Sequence, residues 1–360
     1  MTAPGTRVAL LLTTPGWRGS GTSFRKIAAG LHRRGHDVVM VAGDAEVAER
    51  LAQPGVTVHH VPTGDTGRRE VGAVRRLLDA HRTRVVLADS PRDVRIARYA
   101  SLLRRRAIAW RYNLSRRDVP PDVLQRWLFG GLAAVVQQSR FGAERLRTGM
   151  PWLRVRREVT IPNGFDLAAL APDPEARIRW RARHDVGTDA PVVLTAGALL
   201  AEKSPTVVLE ALAATGATWV LAGDGPLAAD LATRAGALGV SVVQAGHLDP
   251  SALHEAMQAA DLVVQPSPKE LFPNVVAEAM ALGCAVVGAA DGATPEVLGD
   301  AGITFAPGDA DALSRIVAAW LSDRTRRERL GAAARSRIAA RFPLAAMEEG
   351  YDRLVRELTD

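Results

Sequence analysis

The 360-residue sequence contains a single cysteine, Cys284. One thiol excludes an internal disulfide and holds no metal by itself, so a small disulfide-stapled secreted domain is ruled out and a reducing, cytoplasmic setting is expected. Long apolar runs are missing as well, since none approaches the roughly 20 residues that a membrane helix needs. The run at residues 8–12 is too short for a signal-peptide core and reads as a first strand, so no export is expected. Lysine is nearly absent, with only Lys26, Lys203 and Lys269 beside 43 arginines. A lysine in such a chain is therefore a more pointed choice than usual.

What is present is a chain of 47% apolar residues, long enough for two domains each with a substantial core. Its net charge of +7 hides an asymmetry: residues 1–165 carry 29 Arg or Lys against 13 Asp or Glu, and residues 166–360 carry 17 against 26. A basic first half could face an anionic molecule, a membrane surface or a nucleic acid. The plainer reading is a compositional preference for arginine spread over solvated helix faces.

Apolar runs alternate with helical patterns throughout, which predicts parallel sheets. In the first half, strands are expected at 7–12, 37–42, near 56–61, near 84–88, at 107–110 and at 133–137. The first runs into Thr13-Thr14-Pro15-Gly16-Trp17-Arg18-Gly19-Ser20-Gly21-Thr22, ahead of a helix over 23–34. A glycine-rich turn between strand and helix lets backbone amides approach a phosphate, although it matches neither a dinucleotide fingerprint nor a P-loop. A helix is read over 95–106. Polar side chains then cluster after the fifth strand, in Arg111-Tyr112-Asn113-Leu114-Ser115-Arg116-Arg117-Asp118, at the carboxyl edge where open α/β sheets bind ligands. Pro120 and Pro121 introduce a helix with Arg126, Trp127, Leu128 and Phe129, which could grip a lipid or glycan but fits a core-facing amphipathic helix better.

Residues 172–189 are polar and rich in Pro and Arg, and are read as the connection between domains, with a short helix. The alternation resumes at 192–196. Lys203 precedes a helix over 206–214, where a phosphate would lie and an ammonium could neutralise a leaving diphosphate; a solvated surface lysine is the alternative. Asp309-Ala310-Asp311 has the form of an Asp-x-Asp metal motif, but it follows Pro307-Gly308 and opens an apolar helical run, so Asp309 reads as a helix N-cap. No metal site is expected.

The densest stretch is 261–288, DLVVQPSPKELFPNVVAEAMALGCAVVG. It reads as a strand at 262–265, a loop, a helix opened by Phe272-Pro273-Asn274 and stopped at Gly283, and a strand at 284–287. Glu278 falls at the edge of the helix's apolar stripe, and Glu270 lies in the loop before it. Two acids thus approach a helix N-terminus, whose backbone amides attract phosphate.

The ordered set of motifs resembles the GT-B glycosyltransferases of family 4, the group 1 glycosyl transferases. Glu270 and Glu278 form that family's E-x7-E motif. EKS at 202–204, AGDGPL at 222–227, EAMALGCAVV at 278–287 and TPEV at 294–297 stand in the family's order, and IPNGFD at 161–166 matches its interdomain signature. The likeness is strong over 159–342 and looser before. It implies an α/β protein with two Rossmann-like domains whose parallel sheets face across a cleft: residues 1–170 binding the acceptor, 171–342 binding a nucleotide-sugar, and a C-terminal helix at 343–360 that returns to the first domain. It further implies a retaining, hexosyltransferase-type enzyme that needs no metal or other cofactor.

By the same resemblance, Glu278 would hold the donor ribose and Glu270 the donor sugar. The amides of Phe272, Asn274 and Val275 after Pro273, with Lys203, Gly197, Gly223 and the Gly19-Ser20-Gly21 turn, would hold the sugar and diphosphate. Catalytic roles fall to Glu270 and Lys203, and to Tyr112 or Asn113, which occupy the place of the family's usual histidine. Arg111, Tyr112, Asn113 and Arg116 would meet the acceptor. Ala198 replaces an arginine that usually pairs with the lysine, so Arg18 is the candidate substitute, and Leu271 replaces a glycine and narrows the sugar pocket. The expected partners are a nucleotide-sugar and an acceptor of anionic or lipid-linked kind, with peripheral membrane contact and no nucleic acid. The alternatives are a nucleotide-sugar-binding protein without transfer activity, serving as partner or regulator, and a same-fold sugar epimerase.

Overall fold

Apolar runs such as Val8–Leu12, Val38–Ala42 and Val192–Ala196 are buried along their whole length, the mark of interior strands covered on both faces. The computed structural model describes residues 5–17, 19–62, 67–113 and 122–360. They fall into two units, one of residues up to Gly164 with Leu344–Asp360, the other Phe165–Pro343.

The first unit runs β1 (Arg7–Leu12), α1 (Gly19–Arg33), β2 (Asp37–Ala42), α2 (Ala45–Leu51), β3 (Thr57–His60), α3 (Arg68–Ala80), β4 (Val85–Ala88), α4 (Pro91–Ala100), β5 (Ala107–Arg111), α5 (Val123–Gly130), β6 (Ala134–Gln137), α6 (Arg140–Gly149) and β7 (Arg157–Thr160). Its strands pair in parallel in the order β3-β2-β1-β4-β5-β6-β7. The chain therefore reverses its direction of winding between β1 and β4, and the crevice outside those two strand ends is where such sheets bind ligands.

In the second unit come α7 (Ala176–Arg183), β8 (Val192–Ala196), α8 (Pro205–Leu212), β9 (Thr218–Ala222), α9 (Ala228–Ala237), β10 (Val242–Gly246), α10 (Pro250–Ala259), β11 (Leu262–Gln265), α11 (Asn274–Ala281), β12 (Val286–Ala289), α12 (Thr294–Leu298), β13 (Ile303–Phe305), α13 (Ala310–Leu321) and α14 (Arg324–Arg341). The sheet order β10-β9-β8-β11-β12-β13 repeats the same reversal, now between β8 and β11. The last helix, α15 (Leu344–Glu357), belongs to the first unit. There Asp352 Oδ1 lies 2.7 Å from His36 Nε2, and Glu348 pairs with Arg33. No helix among the described residues is long and apolar enough to cross a membrane.

Three expectations shift. First, the glycine turn after β1 is not a loop ahead of a helix at Ser23; Gly19, Ser20 and Gly21 form the first turn of α1. A β-carbon on Gly21 would lie 2.9 Å from the Trp17 ring, so glycine lets that indole lie against the helix. Second, α4 starts at Pro91 rather than Arg95, because Ser90 and Asp93 form a reciprocal capping box.

Third, the segment 172–189 lies inside the second unit and does not connect the two. Trp180 is 2% exposed and stacks on His184 at 4.2 Å. Two of the four arginines that made the segment look like a solvated connection, Arg177 and Arg181, converge on Asp261, while Arg179 and Arg183 pair with Glu255. Asp261 Oδ2 accepts from Arg181 Nη2 at 3.0 Å and from the Val192 amide at 2.9 Å, while its Oδ1 accepts from Arg177 and Arg327 at 3.1 and 3.2 Å. Removing a buried indole costs about 3–5 kcal/mol, against about half a kcal/mol for a surface change. Trp180→Ala should accordingly lower the urea midpoint of the second unit's unfolding strongly, whereas a shift within experimental error would return the segment to the status of a connector.

Candidate active site

At the carboxyl ends of β8, β9 and β10 the chain turns on Gly197, Gly223 and Gly246, all with positive φ. The Gly197 amide donates to Ala222 O at 2.9 Å and the Gly223 amide to Gly246 O at 2.7 Å, so the three turns sit in register. A β-carbon on Gly223 would stand 2.0 Å from Gly197 O, which no other residue type could tolerate. Backbone thus reaches the sheet edge without side chains in front of it.

Beyond Gly197 a short 3-10 turn, Ala201–Lys203, delivers Lys203. Its Nζ donates to Glu270 Oε1 at 2.5 Å. The same oxygen accepts from Ser267 Oγ at 2.6 Å. Oε2 accepts no hydrogen bond among the described residues, and Glu270 stays partly exposed. The carboxylate's backbone is clamped from the loop after β12: the Ala293 amide donates to Glu270 O at 2.8 Å, and a β-carbon on Gly292 would lie 2.6 Å from Glu270 N. Lys203 and Glu270 come from the loops after β8 and β11, so their contact spans the reversal point of the second sheet.

Helix α11 starts just beyond, behind Pro273, which has no side chain able to cap it. Phe272 is buried, 6.2 Å from the Phe165 ring and edge-on to Phe342 at 5.6 Å, and this anchors the turn into the helix. The far end of α11 is held by α14, where Arg335 binds the Ala281 carbonyl at the negative end of the helix dipole. One turn into α11, Glu278 is partly exposed, with its Oε2 3.8 Å from His254 Nε2 on α10. Asn274 and Val275 occupy the first helical turn; Leu271 is buried.

The first unit has a different kind of site. At the carboxyl ends of β4 and β5, Asp89 is 2% exposed. It takes Arg111 Nη1 at 3.3 Å on Oδ1 and Asn113 Nδ2 at 3.1 Å on Oδ2, and Ser20 of the first turn of α1 lies near enough to favour its charged form. Arg111 Nη2 continues to Asn163 Oδ1 at 3.0 Å. Asp93 lies close by, fully buried, accepting from the Thr13 amide and hydroxyl at 2.9 and 2.5 Å and from the Ser90 amide and hydroxyl at 2.8 and 2.6 Å. Burial pushes the Asp89 carboxyl up to about 6 against the pull of the Arg111 guanidinium, with Asp93 adding to the rise.

These partners bear on two of the expected roles. Arg111, expected to meet the acceptor, is 6% exposed and committed to Asp89 and Asn163, so it holds the strand ends together. Tyr112 is buried edge-on to Trp110 at 5.3 Å, which leaves Asn113 as the partly exposed member of the pair. Arg18 and Arg116 lie outside the described residues. Asp309 caps α13 through the Ala312 amide at 2.8 Å. Among the described residues no group of three or more His, Cys, Asp or Glu is placed to hold a metal ion. Sequence reasoning missed Asp89, Asp93, Ser267, His254 and Gly292. Of these, Ser90-Pro91-Arg92-Asp93 has the spacing of a capping box and could have been read as one.

Two sheets of this strand order, each with polar groups gathered at its reversal point, define the GT-B class of glycosyltransferase fold. Anabaena Alr3699/HepE, solved in complex with UDP and glucose, shares it: the TM-score is 0.84 over 98% of this chain and 100% of that one, at 20% identity. Residues 18–164 match the family model for the glycosyl transferase 4-like domain, and residues 176–337 match that for glycosyl transferases group 1. The chain belongs to the group 1 glycosyltransferases of the GT4 type. Two curated relatives are the GDP-mannose-dependent alpha-(1-6)-phosphatidylinositol monomannoside mannosyltransferase of Mycolicibacterium smegmatis, 32% identical over 49% of this chain and 50% of its own length, and the D-inositol 3-phosphate glycosyltransferase of Xylanimonas cellulosilytica, 33% identical over 49% and 46%. The chain thus spans half or less of the length of these relatives.

A carboxyl whose folded pKa lies above its unfolded value of 3.8 binds its proton more tightly when folded. Its contribution to stability is therefore complete below about pH 4 and is lost as pH rises through about 6. Relative to Asp89→Asn, the natural protein should lose on the order of 2–3 kcal/mol across that window. Urea denaturation of both proteins from about pH 4 to about pH 7 reads the difference, and a pH-independent difference would contradict the assignment.

Proposed function

We propose that the protein transfers a hexose from a nucleoside-diphosphate sugar to an acceptor hydroxyl, with retention of anomeric configuration and without a metal. The observation that carries this reading is the contact between Lys203 and Glu270 at the reversal point of the second sheet, just ahead of the uncapped N-terminus of α11. A diphosphate there meets an ammonium and the positive end of a helix dipole. As the bond from the anomeric carbon to the diphosphate oxygen breaks, negative charge grows where these donors already point, so they favour the transition state over the bound substrate.

Glu270 then serves the sugar. Its Oε1 is occupied, and Oε2 remains to accept from a sugar hydroxyl. Glu278, one turn along α11, suits the vicinal hydroxyls of a ribose. The acceptor oxygen bonds to the anomeric carbon from the face the diphosphate leaves, and its proton passes to the departing diphosphate. Asn113, held by Asp89, is assigned to the acceptor side.

The strongly basic first half fits an acceptor that is anionic or lipid-linked. The names of the two relatives point the same way, to a phosphatidylinositol mannoside and to an inositol phosphate. The protein is read as cytoplasmic, working peripherally at a membrane.

A thermal-shift panel of nucleotides and nucleotide-sugars comes first, because a ligand at about 100 times its Kd adds about 2.7 kcal/mol to stability. With the best donor, Glu270→Ala and Lys203→Ala should each lower turnover about a hundredfold or more while the melting temperature without ligand stays near that of the natural protein. Near-natural rates in either variant would contradict the proposed roles. Donor binding without transfer or hydrolysis, across acceptors, would favour a binding protein instead.

A further inference from the structure

Helix α5 divides its apolar residues between two faces. Leu128 and Phe129 are buried, whereas Val123 is 86% exposed and Leu124 and Trp127 are exposed with it. The spacing of 123, 124 and 127 puts these three on one side of the helix, about a turn long. Trp127 is held in place rather than loose: the Arg98 guanidinium lies over its ring at 5.1 Å, and the Tyr99 ring is 6.0 Å away. Arg98 and Tyr99 belong to the last turn of α4. The chain leaves that turn through Leu102 and Leu103, both exposed, Leu103 at 97% and with φ +61°. A left-handed leucine costs about 1–2 kcal/mol, so an apolar side chain is held out in water at the expense of backbone strain.

Arginines surround these residues. Arg104 and Arg105 are exposed, and Arg106 lies beside them; among the described residues the acids here are Asp79, which pairs with Arg104 and Arg106, and Asp122, which caps α5. Positive charge therefore exceeds negative.

We propose that the outer face of α5, together with the turn after α4, docks this chain on an anionic lipid surface. Leucine and valine side chains would enter the boundary between headgroups and acyl chains. Tryptophan is at home in that layer, with an apolar body and a polar edge. The arginines would meet lipid phosphates. A fluid surface suits this patch better than a protein does, because Val123 and Leu103 are protruding points of near-complete exposure, for which a folded partner would need matching pockets. The proposal is independent of the donor site.

Co-sedimentation with vesicles of phosphatidylcholine, with and without phosphatidylglycerol, tests it. The natural protein should pellet with the anionic vesicles, less so as salt rises, and stay in solution with the neutral ones. Combining Leu103→Ser, Val123→Ser and Trp127→Ser should weaken binding tenfold or more, and Arg105→Gln alone by roughly fivefold, from about 1 kcal/mol per arginine near the surface. The donor-induced thermal shift should be unchanged in both variants, which separates loss of docking from loss of the fold or of the donor site. Equal binding to both vesicle types, no vesicle binding, or natural binding by the triple variant would overturn the proposal. So would self-association that the triple variant abolishes while vesicles have no effect, since the face would then bind a second copy of this chain.

Discussion

Lys203 and Glu270 lie 67 residues apart in sequence and 2.5 Å apart in space, and the arrangement of the second unit's sheet edge follows from their meeting. They meet because β8 and β11 are neighbours only by virtue of the reversal in winding order. The pair does not exist for stability. Both side chains are partly exposed, and such a pair stabilises by about 1 kcal/mol at most. Yet Ser204, directly after the lysine, and Lys269, directly before the glutamate, are both left-handed non-glycine residues with φ near +55°, at 52° and 58°. Each such conformation costs about 1–3 kcal/mol. Strain on both sides of a weak pair is the balance expected where geometry serves a ligand and the rest of the unit supplies the stability. The buried Phe272 cluster, the Gly292 close approach and Arg335 at the end of α11 are that supply.

The first unit solves the opposite problem. Its polar network is buried, so charge there is expensive and is met group by group: Asp93 by Thr13 and Ser90, Asp89 by Arg111 and Asn113. Burial raises both carboxyls above the usual carboxylate range, Asp89 to about 6. Such a network fixes strand ends rigidly and presents Asn113 in one orientation. Outside it, many of the unit's arginines lie at the surface, and near Trp127 they stand beside the exposed side chains of Leu103 and Val123.

Both sheets were legible in sequence because parallel strands are unbroken apolar runs between helical patterns, and residues 8–12, 192–196 and 262–265 needed nothing else. Lys203 and Glu270 stood out for local reasons, one as a rare lysine before a helix and the other ahead of a second acid at a helix start. Their contact was not a local fact. The partners missed are also non-local: Asp89 becomes a hub only when β4, β5 and the start of α1 converge, and His254 reaches Glu278 only through the packing of α10 on α11. Residues 172–189 misled for a different reason. Arginine usually signals solvent, but here Arg177 and Arg181 converge on one buried-edge carboxylate, Asp261, and the tryptophan between them is in the core.

The central claim is that Lys203 and Glu270 act as one unit toward a nucleoside-diphosphate sugar. A double-mutant cycle reads this directly: calorimetric binding of UDP-glucose to the natural protein, Lys203→Met, Glu270→Gln and the double variant. Residues that share a ligand-facing contact should show a coupling of about 0.5–3 kcal/mol. Strictly additive losses, with no coupling beyond error, would mean that the two side chains meet without acting together and would contradict the account.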